Sequence, residues 1–265
     1  MKKLVASLLV SFLLFSIFIC MAGCSGTIGT PVAGNGKLEI KSFDYVGFDR
    51  LEIDNAFQVE VTKSDSFGFS VTADSNLYEY LDIRKSGSTL HIGLQRNHSY
   101  FNTTQKAMIT MPDLRGLNIS GASKAHIIGF NSTNAFNTVV SGASRLEVSS
   151  VKTGNIVMEV SGASHVVGNL TTADGNFDIS GASTVELEGT SNNITADISG
   201  ASSGKLASFS MVQARMTVSG ASNATINVSN RLDVAVSGAS RVYYIGDPTL
   251  GSIDVTGAST FSRKP

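Results

Sequence analysis

Tryptophan is absent from the 265 residues, and charged side chains make up only 15% of them, against a usual ~25%. Low charge together with 26 glycines fits a stack of β coils better than a helical enzyme. Cysteine occurs only at Cys20 and Cys24. With Cys24 acylated, no thiol is left for a disulfide, so the fold must rest on its packed core. Gly200-Ala201-Ser202-Ser203-Gly204 matches G-x-S-x-G in letters only, since its β context is wrong for a nucleophile elbow, and no Gly-Gly-x-Gly-x-Asp calcium repeat is present. The carboxylates form no cluster of the kind that glycan-cleaving enzymes hold in a cleft. His91, His98, His126 and His165 are scattered. His126 and His165 fall two coils apart, about 9–10 Å, too far for one metal ion. These absences predict no catalytic residues, no metal and no cofactor. The formal charge of −1 falls to −3 once Lys2 and Lys3 are removed, which argues against nucleic acid as a partner.

What is abundant is one phrase. Ser-Gly-Ala-Ser begins at Ser120, Ser141, Ser161, Ser180, Ser199, Ser219 and Ser237, and Thr256-Gly257-Ala258-Ser259 is an eighth copy. The copies stand 18 to 21 residues apart. A fixed short period marks a stacked-repeat protein. Apolar residues alternate before the phrase, as at Phe177 and Ile179, and after it, as at Val185 and Leu187. Period-2 alternation means strands with one buried face. Gly121, Gly142, Gly162, Gly181, Gly200, Gly220, Gly238 and Gly257 are therefore read as corners where a Cβ would resist the bend. The repeated Ala is read as filling a narrow place inside the coil, and the flanking serines as hydroxyl ladders. The architecture predicted is all-β: a parallel β-helix, or single-stranded β-solenoid, with ~19-residue coils. Drift in the period argues against the strict sixfold multiple of a left-handed hexapeptide helix, which favours the right-handed form.

Residues 1–23 read as a secretory signal: a basic start at Lys2 and Lys3, then an apolar run to Ile19. Met21-Ala22-Gly23-Cys24 has the form of a lipoprotein cleavage site, with Cys24 the residue to be lipidated. An uncleaved membrane anchor is the alternative. Residues 24–36 read as a flexible tether rich in Gly, Ser and Thr. Residues 37–118 lack the phrase but keep the alternation, and read as degenerate coils and a cap before the repeats of 119–265. Leu51–Val59 lies over Leu117–Ala125 with Asn55 in the glycine position, which Asn tolerates. Lys85-Ser86-Gly87-Ser88 reads as a turn, and 97–105 as a protruding loop.

Phe48–Val61 (FDRLEIDNAFQVEV), Met111–Ser123 (MPDLRGLNISGAS), the tandem SGAS coils and Gly246–Thr260 (GDPTLGSIDVTGAST) together resemble the head GIN domain family of auto-transporter adhesin heads, over 37–265. The resemblance implies an exported lipoprotein with a right-handed solenoid, and it carries no catalytic residues.

Outward positions before the phrase place Glu159, Asp178 and Asp197 on successive coils, a candidate binding stripe for Ca²⁺ or a sugar, or else a solvated face. Charged residues and a proline at 263–265 discourage edge-to-edge stacking and favour a monomer. The reading is a lipid-anchored protein of the cell envelope, exported to the outer membrane or cell surface. Through one solenoid face it binds a polysaccharide or a surface protein. The alternatives are a structural or envelope-stress component with no ligand of its own and, after that, a polysaccharide-active enzyme.

Overall fold

The computed structural model describes residues 29–264, so the signal at 1–23 and the lipidation residue Cys24 lie outside the described residues. Two units are separated by their contacts. In the smaller, Pro31–Ala33 pairs in parallel with Ser99–Phe101. A strand thus lies within the stretch read as tether, and another within the stretch read as loop. The larger unit holds 34–95 and 103–264 and is an all-β solenoid of about seven turns.

Two long parallel sheets build this unit. In the first, Gly116–Ile119, Phe136–Val140, Ile156–Val160 and Asp174–Ile179 stack in order, followed by the second halves of Thr184–Ile198, Ser203–Val218 and Asn223–Val236 and then Thr249–Val255. In the second, Lys124–Ile128, Arg145–Lys152 and His165–Thr171 are followed by the first halves of the same long strands, then Arg241–Ile245 and Thr260–Arg263. Before the last coil the inward positions are mostly apolar and buried: Leu146, Val166 and Val185 form one column, and Met158, Phe177, Ala196 and Met216 another. Phe177 and Phe209 meet at 6.3 Å between ring centres. Each fully buried side chain of this size contributes roughly 1.5–3 kcal/mol.

The SGAS corners show why glycine recurs. From Gly142 to Gly238 each SGAS glycine has φ near +75°. A Cβ added at Gly162, Gly181, Gly200, Gly220 or Gly238 would lie 2.3–2.4 Å from the carbonyl oxygen of the glycine one coil earlier. That carbonyl is occupied: it accepts the N–H of the next coil's alanine, as in Ala182 to Gly162 at 2.8 Å and Ala201 to Gly181 at 2.7 Å. The alanines are exposed, which corrects the expectation that they fill the interior. The reason is the turn itself, which carries Gly and Ala out of the core and returns the chain inward at the second serine. Those serines, Ser123 to Ser240, are the buried ones. They form a ladder in which each backbone N–H points at the next hydroxyl, as in Ser183 to Ser202 at 3.4 Å and Ser202 to Ser222 at 3.3 Å.

The ladder begins only after a peptide flip. Asn55-Ala56 and Gly121-Ala122 have positive φ at both residues, the pattern of a type I′ turn. Here the Ala56 N–H donates upward to the Gly121 carbonyl, the reverse of later coils. Ser123 N–H is turned back to the Ser120 carbonyl at 3.2 Å. The hydroxyl of Ser144 consequently loses its donor and is buried without a partner.

The stretch 37–118 does not run as consecutive coils. Arg50–Ile53 and Gln58–Lys63 form one true coil, with Leu51 beside Leu117, Val59 beside Ala125 and Asn55 at the corner. That coil lies between two neighbours. On its far side are Thr89–Leu94 and Gln105–Met111, although they come later in the chain. Beyond those, antiparallel strands close the end: Leu81–Ser86 covers Thr89–Leu94, while Gly68–Asp74 and then Leu38–Ser42 cover Gln105–Met111. A short 3-10 helix, Ser75–Tyr80, buries Leu77 there. Terminal repeats need such cover because their edges would otherwise stay unpaired.

Candidate functional site

Each rung aims alternate side chains at solvent, so the two sheets present columns of outward residues about 4.8 Å apart. On the first sheet Glu159 stands beside Asp178, and Asp178 beside Asp197; all three are exposed. The column continues through Glu52, Asn118 and Val139 on one side and Thr217, Ala235 and Asp254 on the other. The structure therefore brings the sequence-derived stripe into one row. Among the described residues, no group of three or more His, Cys, Asp and Glu side chains could hold a metal ion.

A second outward face carries more relief. Strands Gln105–Met111, Gln58–Lys63, Lys124–Ile128 and Arg145–Lys152 lie side by side there. One column reads Lys106, Gln58, Lys124, Arg145, His165; the next reads Met108, Glu60, His126, Glu147. All of these but His165 line an open depression of about 460 Å³. His126 Nε2 shares a hydrogen bond with Ser149 Oγ at 2.8 Å. Burial holds the His165 imidazole below its ordinary pKa, and the Arg145 cation lowers it further. The alternation after the phrase, with Ala125, Ile127, Leu146 and Val148 buried, turns Lys124, His126, Arg145 and Glu147 outward. It did not show that Lys106 and Gln58 join them, because their strands lack the SGAS phrase. The usable signal was Ala107, Ile109 and Met111, whose alternation turns Lys106 and Met108 to solvent.

Nor was a carboxylate shell around His91 foreseen. This side chain is about nine-tenths buried at the covered end. Its Nδ1 lies 3.5 Å from Glu52, and its Nε2 lies 3.4 Å from Asp82 and 4.0 Å from Asp54. Asp82 also accepts from Arg84. Glu52 approaches one ring nitrogen and Asp82 and Asp54 the other, and among the described residues this group could not hold a metal ion.

No helix of the described residues is long and apolar enough to cross a membrane. No curated protein matches the chain. Among solved structures, a putative adhesin from Parabacteroides distasonis superimposes with a TM-score of 0.80 at 18% identity, covering 88% of this chain and 100% of its own. A putative adhesin from Parabacteroides merdae gives 0.77 at 19%, covering 89% and 100%. A structure described as a putative lipid binding protein from Parabacteroides distasonis gives 0.76 at 18%, also covering 89% and 100%. At these identities the likeness concerns the fold, and it extends over the whole solenoid. Residues 47–248 match the family described as "Putative auto-transporter adhesin, head GIN domain", and the chain belongs to that family.

Proposed function

We propose that the protein is a non-catalytic adhesion module of the cell envelope. Residues 1–23 export it, Cys24 carries the lipid that holds it to a membrane, and the residues after Cys24 space the solenoid from that surface. A monomeric solenoid then binds a polysaccharide or surface protein through a side face. The observation that carries this reading is the rung-by-rung register of outward side chains on two flat parallel sheets. Such a surface offers a linear polymer repeated contacts, and weak single contacts sum by multivalency. Membership of a family described as adhesin heads supports it.

The test is a panel of glycans, peptidoglycan and matrix proteins probed with the purified full-length protein, with Ca²⁺ and with chelator. Saturable binding to at least one member is expected. Loss of that binding in Asp178→Ala or Asp197→Ala would assign the acidic row as the contact face. A folded protein that binds nothing on the panel overturns the adhesion reading and favours a purely structural solenoid. Anchoring is tested separately: Cys24→Ser is expected to move the protein from the membrane fraction to the soluble one, and retention in the membrane would contradict lipidation.

A further inference from the structure

The geometry points to an acidic-polysaccharide site in the depression lined by Lys106, Gln58, Lys124 and Arg145. The inference rests on the adhesion reading above and gives it a place and a ligand class.

Lys106 stands beside Gln58, Gln58 beside Lys124, and Lys124 beside Arg145. Like charges on directly opposed residues of a sheet repel. Among the described residues none of these three cations has a carboxylate within 4.0 Å, whereas Lys205 on a later rung of the same face reaches Glu186 at 3.2 Å across one step. The sheet can therefore pair its charges across rungs, and does so elsewhere, but leaves this column unneutralised. His165 stands beside Arg145 on the next rung, where burial first and the Arg145 cation second hold its imidazole below the ordinary pKa.

Spacing and composition select the ligand. Lys124 and Arg145 are one rung apart, about 4.8 Å, and Lys106 and Lys124 two rungs, about 9.6 Å. A polymer lying along the stack meets a cation every one or two rungs. That suits a chain carrying one acid group per sugar or per disaccharide. Glu60 and Glu147 in the neighbouring column repel a densely charged polyanion such as nucleic acid, yet accept hydrogen bonds from sugar hydroxyls. Gln58 adds an amide that both donates and accepts. Thr184, Ser203 and Asn223 prolong the column with neutral polar groups as far as Arg241.

The experiment compares binding of the full-length protein to polygalacturonate and to the same polymer with its carboxyl groups reduced to alcohols. Binding to the acidic form is expected, weakened by added salt, with the reduced form at least about tenfold weaker. Lys124→Gln/Arg145→Gln is expected to cost about tenfold or more for the acidic form. Lys106→Gln, outside the SGAS repeats, supplies an independent loss should the double variant fold poorly. Arg215→Gln, an exposed cation on the first sheet outside the acidic row, is expected to leave binding unchanged. Equal binding of the two polymers, or full affinity in both cation variants, overturns the site. No binding to polygalacturonate by a protein that binds other panel members overturns the site and leaves the adhesion reading standing.

Discussion

At the corner of each coil a single hydrogen atom decides what the chain can do. Gly200 has φ +76°, and a Cβ there would sit 2.4 Å from the Gly181 carbonyl oxygen, which already accepts the Ala201 N–H. Gly87 also has positive φ, +58°, but nothing within 4 Å of the added atom. Gly87→Ala should therefore cost only the left-handed penalty of roughly 1–2 kcal/mol. Gly200→Ala adds a backbone clash and should cost clearly more. Chemical denaturation of the two variants checks this, and equal losses would refute the stacking argument. The serine ladder makes a second residue-scale contrast. Ser144 Oγ is buried without a partner, whereas Ser202 Oγ faces the Ser183 N–H. Ser144→Ala should be neutral or slightly stabilising, and Ser202→Ala should lose about 1 kcal/mol. A reversed order of midpoints would show that the flipped corner is wrongly described.

At the scale of the coil, the apolar columns carry the stability. Phe177 lies at the centre of one, fully buried against Phe209, and Phe177→Ala should cost about 3–5 kcal/mol in denaturant unfolding. The coil at the far end is held differently. Arg231 donates twice to Asp233 at 2.9 Å, and Asp233 accepts the Ser252 N–H of the next coil at 2.7 Å. These bonds bring the Asp233 carboxyl down to about 2. A depressed folded pKa means stability present above the unfolded value and lost as pH falls through the folded one, here between about 4 and 2. Hydrogen exchange at the Ser252 amide should therefore accelerate in that window, and Asp233→Asn should bring the fast exchange to neutral pH. Unchanged protection in the variant would count against the clamp. Elements of this kind were unevenly legible. The repeats could be read because a period-2 pattern recurring about every 19 residues specifies both the buried face and the neighbour, so Glu159, Asp178 and Asp197 fell into one row as spaced. The exposed alanine was misread because small size alone does not distinguish a cramped interior from a turn. Where Thr89–Leu94 and Gln105–Met111 pair could not be read, because alternation names a strand's buried face but not its partner. The depression floored by Lys106 and Gln58 was hidden for the same reason.

The whole solenoid has unlike ends. One is closed by antiparallel strands and the 3-10 helix. At the other, Thr249–Val255 is exposed along its length, including Leu250, Ile253 and Val255, whose counterparts one coil earlier, Leu232, Val234 and Val236, are buried. The order of stacking near the closed end also bears on how the chain assembles. The coil at 50–63 lies between rungs supplied by 89–111 and by 116–128, so its two neighbours come only from segments that follow it. Closing those contacts spans long loops and is entropically expensive. Every SGAS coil thereafter adds to a finished template through local contacts, in the manner of a one-dimensional zipper. Assembly should then have a slow, all-or-none start followed by fast propagation. A chain ending at residue 179 should fold reversibly with reduced stability, whereas one ending at residue 104, which lacks one neighbour rung on the first sheet and both on the second, should not fold. A stably folded 1–104 fragment would contradict that order. A chain built this way has its most demanding step encoded first, and its length can vary by whole coils without changing the step that commits it to fold.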